Sequence, residues 1–206
     1  DRPQTGQMWL EYELLKNPDF PGVFCISTSY RNEPNPIPGR HETIFPMFEF
    51  ETKGTMIDLI KMESELLHYL DLPLPKLHNY EDLATHYGVD IIETEHEGMM
   101  CEEYGQATII QNFPERTSPF WNMKHDKDGI FNKVDVILYG QETIGSAERA
   151  TSIEEMRHYF DTISDGGYKK KLYDLFGKER VEKELDEYFD NKFFPRFGGG
   201  IGITRL

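Results

Sequence analysis

Apolar and polar positions organise the start of the chain into two strand-like stretches. Val23 to Arg31 opens with an apolar run, Val23-Phe24-Cys25-Ile26, and continues with Thr28 and Tyr30 in alternation. Phe45 to Glu51 places Phe48 and Phe50 on one face and Met47, Glu49 and Glu51 on the other. Between them Asn35-Pro36-Ile37-Pro38-Gly39 neither continues a strand nor forms a helix, so the pair is predicted as a long-looped hairpin. Asp1 to Lys16 reads as a loop followed by a helix carrying Met8, Trp9, Tyr12 and Leu15. Thr55 to Leu70 has helical spacing, with Met56, Leu59, Ile60, Met62, Leu66 and Leu67 forming a broad apolar side, and Pro73 and Pro75 end it. A short helix is predicted near Tyr80 to Tyr87, and strands at Val89 to Glu93, Ala107 to Gln111 and Val134 to Tyr139. Ser152 to Ile163 reads as a helix whose cap, Ser152, has Glu155 three residues on. Lys169 to Asn191 is mostly helical, and Phe197 to Leu206 is a glycine-rich apolar strand. Strands separated by irregular loops, with helices inserted between them, predict one α+β domain around an antiparallel sheet.

Composition narrows the picture modestly. The 206 residues suffice for one domain with a sizeable core, and no low-complexity run is present. No stretch reaches the roughly 20 apolar residues a membrane-spanning helix needs, and no secretory signal pattern is visible. Cys25 and Cys101 lie far apart and match no metal-ligand spacing; Cys25 reads as a packed thiol, and a reducing cytoplasm is the expected compartment. The formal net charge of −15 opposes broad contact with a phosphodiester backbone, and the one dense basic cluster, Lys169-Lys170-Lys171, is followed closely by acids.

Three segments carry residues suited to a nucleoside triphosphate. Arg31-Asn32-Glu33, a proline-held loop, Arg40-His41 and Phe45 combine planar guanidinium donors for phosphate with an aromatic face for a purine. Taken singly, these residues also fit a surface ion pair, a solvated loop histidine and a core phenylalanine. Asp135 and Glu142 bracket an apolar strand, a carboxylate pair suited to Mg²⁺ beside substrate phosphates; the alternative is a turn at Gly140-Gln141 with Glu142 in solvent. Phe197-Gly-Gly-Gly-Ile-Gly-Ile-Thr-Arg205 allows close backbone approach at Gly198, Gly199, Gly200 and Gly202 and ends in a guanidinium, but lacks the Gly-Lys-Ser/Thr ending of a P-loop.

The order and spacing of these segments resemble the catalytic core of class II aminoacyl-tRNA synthetases, in the subclass that handles aspartate, asparagine and lysine. Arg31, Glu33, Arg40, His41, Phe45 and Glu49 match motif 2, and Gly198, Gly200, Gly202 and Arg205 match motif 3. Pro3-Gln4 resembles the substrate-binding Pro-Gln element, and Ser118 to Lys124 resembles the stretch before the metal-binding strand. The resemblance spans most of the chain. It implies that ATP and Mg²⁺ are used to activate an amino acid as its adenylate. Arg31 would bridge the α-phosphate and the amino-acid carboxylate; Arg205, with His41 or Arg40, would hold the γ-phosphate. Phe45 would stack on adenine with Glu33 at its amino group, Gly202 would border the nucleotide, and Glu142 with Asp135 would hold the metal.

Gln4 and Arg149 would contact the amino acid, and Arg149 closes a Glu-Thr-Ile-Gly-Ser-Ala-Glu-Arg run similar to the aspartate and asparagine enzymes. Gln7 replaces the lysine of the aspartate enzymes, which adds weight to asparagine over aspartate. Arg196 and Thr204 also depart from the family pattern, in place of a histidine and an acid. No motif 1 and no anticodon-binding barrel is recognised, and both ends read as those of a partial chain. The acceptor therefore stays open between tRNA and ammonia, with a non-catalytic regulatory module as a third reading. A homodimer is expected from the resemblance alone.

Overall fold

The alternation along the second predicted strand is what the fold is built around. The computed structural model describes residues 5–30 and 42–206. In it β2 (Ile44–Lys53) pairs antiparallel with β1 (Gly22–Tyr30), from Gly22 opposite Thr52 to Tyr30 opposite Ile44. Phe48 and Phe50 enter an apolar core, while Met47 and Glu49 face an open cleft. The sheet has seven strands in the order β1-β2-β7-β6-β5-β4-β3, with β3 (Lys76–Asn79), β4 (Ala107–Pro114), β5 (Ile130–Leu138), β6 (Gln141–Glu148) and β7 (Arg196–Gly202). Among the described residues only β3 and β4 pair in parallel, so the sheet is mixed rather than purely antiparallel. The parallel step requires a crossover, supplied by α3 (Tyr80–Tyr87) and α4 (Thr94–Tyr104).

Helix α2 (Met56–Tyr69) covers one face of the sheet. Thr55 and Asp58 form a capping box at its start, and Leu59 and Leu67 pack against Val134, Val136, Leu138, Ile144 and Ile201. The alternate β5 positions, Asp135 and Ile137, belong to the opposite face. There Ile137 joins Ile110, Phe113, Tyr80, Leu83 and Met100 in a cluster under α3 and α4. A third cluster gathers Leu15 of α1 (Gln7–Lys16) with Trp121 and with Met156, Phe160 and Leu185 of α5 (Ile153–Thr162) and α7 (Lys178–Phe189). Ser152 caps α5 as predicted, its hydroxyl accepting from the Glu155 N–H at 3.2 Å.

Four elements differ from expectation. Residues 89–93 form an irregular connection, not a strand, and lead into α4 instead. Glu93 and His96 cap α4, which buries only His96 and Met100, so its sequence carries little apolar period. The helical stretch after Lys169 is two helices, α6 (Gly167–Phe176) and α7, broken at Gly177, whose φ of 83° lies outside the helical region. Strand β6 was not foreseen. It joins β5 through Tyr139 and Gly140, both at positive φ (50° and 78°), the two-residue hairpin geometry that matches strand twist. The four-residue β3 also escaped the sequence reading.

Candidate active site

The cleft of about 480 Å³ lies on the sheet face opposite α2, and strands far apart in sequence supply its walls. From β2 come Phe45, Met47 and Glu49; from β7, Gly200 and Gly202; from β6, Glu142, Thr143 and Gly145. Arg205 follows β7 in a short 3-10 turn, and its Nη1 donates to the Glu142 carbonyl at 2.6 Å. The structure thus brings Phe45, Glu142, Gly202 and Arg205 into one cleft. Thr204, where the family pattern has an acid, lines it too. Gln4, Arg31, Glu33, Arg40 and His41 lie outside the described residues.

One end of the cleft holds a dense carboxylate network. Glu49 is buried and accepts from Thr5 Oγ1, from Gly6 N at 3.0 Å on both oxygens, and from Ser27 Oγ at 2.5 Å. Cys25 sits beside it, with burial and then the Glu49 charge pushing its thiol pKa up. Behind this group Gln7 Nε2 donates to the Phe50 carbonyl at 3.0 Å, to Glu51 Oε1 at 3.1 Å and to the Gly199 carbonyl at 3.2 Å. Glu51 Oε1 in turn accepts from Arg149 Nε at 3.0 Å and Nη2 at 2.5 Å. Both partners are buried. Burial alone would lower the Arg149 pKa, but the charges of Glu51 and Glu11 override it and keep the guanidinium protonated. Burial raises the Glu51 carboxyl against the opposing pull of Arg149. Gln7 lines the cleft, and Glu51 links it to the buried Arg149 behind.

The glycine run of β7 serves two purposes. A Cβ on Gly198 would fall 2.1 Å from Glu51 Cδ, and one on Gly199 would fall 2.5 Å from Ser146 Cβ. These glycines make room for neighbouring side chains. Gly200 and Gly202 border the cleft itself. Arg196, at the head of the same strand, points away into a buried network with Glu11 and Tyr188.

At the other end, Asp135 and Glu142 approach each other across Gly145. A Cβ there would lie 2.9 Å from Glu142 Oε1 and 3.6 Å from Asp135 Oδ1. Asp135 Oδ1 is buried and has no hydrogen-bond partner among the described residues. Burial, less the pull of Lys133 and reinforced by Glu142, pushes the Asp135 carboxyl up to about 7. An orphaned carboxylate oxygen facing a second carboxylate over an open glycine fits a divalent ion. Among the described residues no group of three His, Cys, Asp or Glu converges, so substrate oxygens would have to complete such a shell.

Comparison with known proteins agrees with this geometry. Residues 3–206 match the family described as tRNA synthetases class II (D, K and N). The chain is 30% identical over 147 residues to an asparagine–tRNA ligase of Mesoplasma florum, covering 69% of this chain and 29% of that protein. It is 25% identical over 189 residues to a lysine–tRNA ligase of Coxiella burnetii, covering 80% and 36%. In fold it resembles the asparaginyl-tRNA synthetase of Pyrococcus horikoshii complexed with asparaginyl-adenylate, with a TM-score of 0.76 at 21% identity, covering 98% of this chain and 51% of that one. The aspartyl-tRNA synthetase of Entamoeba histolytica gives a TM-score of 0.75 at 20% identity, covering 98% and 47%. The chain thus spans about a third of the length of these curated relatives and about half of the solved chains. Matched over nearly its whole length, with Phe45, Glu142, Gly202 and Arg205 gathered in one cleft, the chain belongs to the class II tRNA synthetase family of the D, K and N type.

Proposed function

We propose that this domain activates asparagine with ATP, forming asparaginyl-adenylate and pyrophosphate. The observation that carries the reading is the Gln7–Glu51–Arg149 chain. Glu51 already accepts an amide N–H from Gln7, and Arg149 beside it offers guanidinium donors. A substrate amide that displaces Gln7 both donates to the carboxylate and accepts from the guanidinium. A substrate carboxylate in the same place would face Glu51 with like charge.

The remaining roles follow from the cleft and the motif match. Phe45 would stack on adenine, Gly202 would let the nucleotide lie close to β7, and Arg205 would hold the γ-phosphate. Arg31 would bridge the α-phosphate and the attacking carboxylate, with Arg40, His41 and Glu33 completing the nucleotide contacts and Gln4 the amino-acid contacts. Asp135 and Glu142 would hold Mg²⁺, which when bound neutralises phosphate charge. In-line attack of the amino-acid carboxylate on the α-phosphorus forms the acyl-phosphate bond as the bond to pyrophosphate breaks. The protein contributes position and charge stabilisation rather than a covalent nucleophile.

ATP–pyrophosphate exchange with asparagine, aspartate and lysine tests this directly. Asparagine should give the highest kcat/KM, and Glu51→Gln should shift preference toward aspartate. Faster exchange with aspartate or lysine in the unaltered protein would overturn the asparagine assignment, and no exchange with any of them would sink the enzymatic reading. Arg205→Ala should slow exchange about a hundredfold, the scale seen when one preorganised charge donor is lost, while leaving thermal unfolding unchanged. Undiminished exchange would show that the γ-phosphate lies elsewhere.

The proposed acceptor is tRNA, as the relatives' names suggest. The net charge of −15 favours a second reading in which ammonia takes the acyl group, and adding tRNA or ammonia to the same assay separates the two. A second copy of the chain is the proposed structural partner, supported by Phe24 and Ile26 standing exposed on the outer strand β1.

A further inference from the structure

The mechanism above leaves a cationic side chain at the metal end of the cleft, Lys133, without a role. Lys133 precedes Asp135 by two residues on β5 and lies on the same face. Its Nζ sits 2.5 Å from Asp135 Oδ2 and 3.9 Å from the centre of the Phe113 ring. The two residues share the wall of a side chamber of about 260 Å³ with Glu142, Glu97, Phe113 and Ile137. Arg116, the other cation on that wall, is engaged by both oxygens of Glu81. Lys133 is therefore left, on that wall, beside Asp135 and Glu142. Burial would lower its pKa, but Asp135 and Glu142 outweigh burial and keep it charged.

We propose that Lys133 is a built-in cation of the metal end of this site, holding one oxygen of Asp135 so that a single divalent ion fits between Asp135 and Glu142, and only weakly until nucleotide brings its own phosphate oxygens.

The geometry divides the Asp135 carboxylate between two tasks. Oδ2 is taken by the ammonium, and Oδ1 stays unpartnered among the described residues, turned toward Gly145 and Glu142 Oε1. A divalent ion at Oδ1 would sit within several ångströms of a fixed positive charge in a partly desolvated chamber, where such repulsion is weakly screened. A dication accompanied by phosphates is not disfavoured in this way, because the complex carries net negative charge. Lys133 thus makes the metal site depend on nucleotide, and contributes one positive charge toward the polyphosphate whether or not the ion is present.

This inference rests on reading Asp135 and Glu142 as the metal carboxylates, and its test requires no catalysis. Mn²⁺ binding to the nucleotide-free protein is followed by the electron paramagnetic resonance signal of free Mn²⁺. The unaltered protein should bind one ion weakly, Lys133→Met should bind it at least about tenfold more tightly, and Lys133→Arg should behave like the unaltered protein. Lys133→Gln keeps a donor for Asp135 Oδ2 without the charge; it should tighten binding similarly and serves if the methionine variant does not fold. Removing Asp135 as well, in Lys133→Gln/Asp135→Asn, should abolish the gain. Affinities within twofold of the unaltered protein for folded Met or Gln variants would overturn the proposal, as would the absence of Mn²⁺ binding in every variant. A protein inactive in pyrophosphate exchange can still show the Lys133 effect, and an active one can lack it, so the two readings fail separately.

Discussion

Replacing Arg196 with alanine should lower the free energy of unfolding by about 3–5 kcal/mol, the loss expected when one partner of a buried, hydrogen-bonded ion pair is removed. All five guanidinium N–H groups are used. Nε and Nη2 donate to Glu11 Oε1 at 2.9 and 2.5 Å, Nη1 to the carbonyls of Ala150 and Phe194 at 3.0 and 3.2 Å, and Nη2 also to Tyr188 Oη at 3.3 Å. Glu11 is closed from the other side by Asn122 Nδ2 at 2.7 Å and Tyr188 Oη at 2.8 Å. Arg196 and Glu11 are both fully buried, so alanine would leave a carboxylate desolvated without its cation. Urea denaturation gives the number, and a loss under about 1 kcal/mol would show that the network is not what holds α1 to β7. The double variant Glu11→Leu/Arg196→Met should regain a good part of the loss, because it removes both charges and keeps volume. Arg196→Ala should also weaken asparagine-dependent exchange, since Glu11 and Gln7 share α1 and Gln7 is the residue placed against Glu51.

This network shows where sequence reading stops. In the sequence Arg196 reads only as a departure from a family pattern. Two of its partners, Ala150 and the Glu11 carboxylate, lie 46 and 185 positions away, which no local pattern reveals. The same holds for Gln7, whose contacts reach 192 residues along the chain to Gly199. By contrast, β2 was legible because period-two alternation separates Phe48 and Phe50 from Met47 and Glu49. Helix α2 was legible through its broad apolar side and the prolines behind it. Strand β6 was hidden for a physical reason. It lies between β5 and β7 in the middle of the sheet yet carries Glu142, Gly145, Ser146 and Glu148, because the site and the close approach of β7 demand polar and small residues there. Helix α4 was hidden because it buries only two residues, one of them a histidine. The carboxylates at 135 and 142 were legible by spacing, whereas their approach across Gly145 depends on the register of β5 against β6.

Glu63 supplies the second large expected effect, and it concerns stability as a function of pH. This residue of α2 is buried under the sheet, on the face away from the cleft. Burial, together with the charge of Asp135 and against the hydrogen bond from Ser146, pushes its carboxyl up from 4.5 to about 8. Its Oε1 lies 2.7 Å from Ser146 Oγ, which lies 3.1 Å from the Val134 carbonyl, and Oε2 has no partner among the described residues. A hydroxyl has a single proton to give. With Glu63 neutral, its O–H donates to Ser146 and Ser146 donates to Val134, so the relay is satisfied only in the protonated form.

Below the unfolded-state pKa both states are protonated and Glu63 adds no pH dependence. Between about 4.5 and 8 the folded protein keeps a proton that the unfolded chain releases, so stability falls as pH rises, by up to about 1.4 kcal/mol per unit. At pH 7 the accumulated cost is about 3 kcal/mol. Glu63→Gln preserves shape and can donate its amide N–H to Ser146 at every pH. It should therefore match the unaltered protein near pH 4.5, exceed its unfolding free energy by about 3 kcal/mol at pH 7, and diverge no further above pH 8. Chemical denaturation at half-unit pH intervals measures the divergence. Parallel stability curves for the two proteins from pH 4.5 to 8 would mean that Glu63 is charged in the folded state, and the Ser146–Val134 relay would then have to run in the opposite sense.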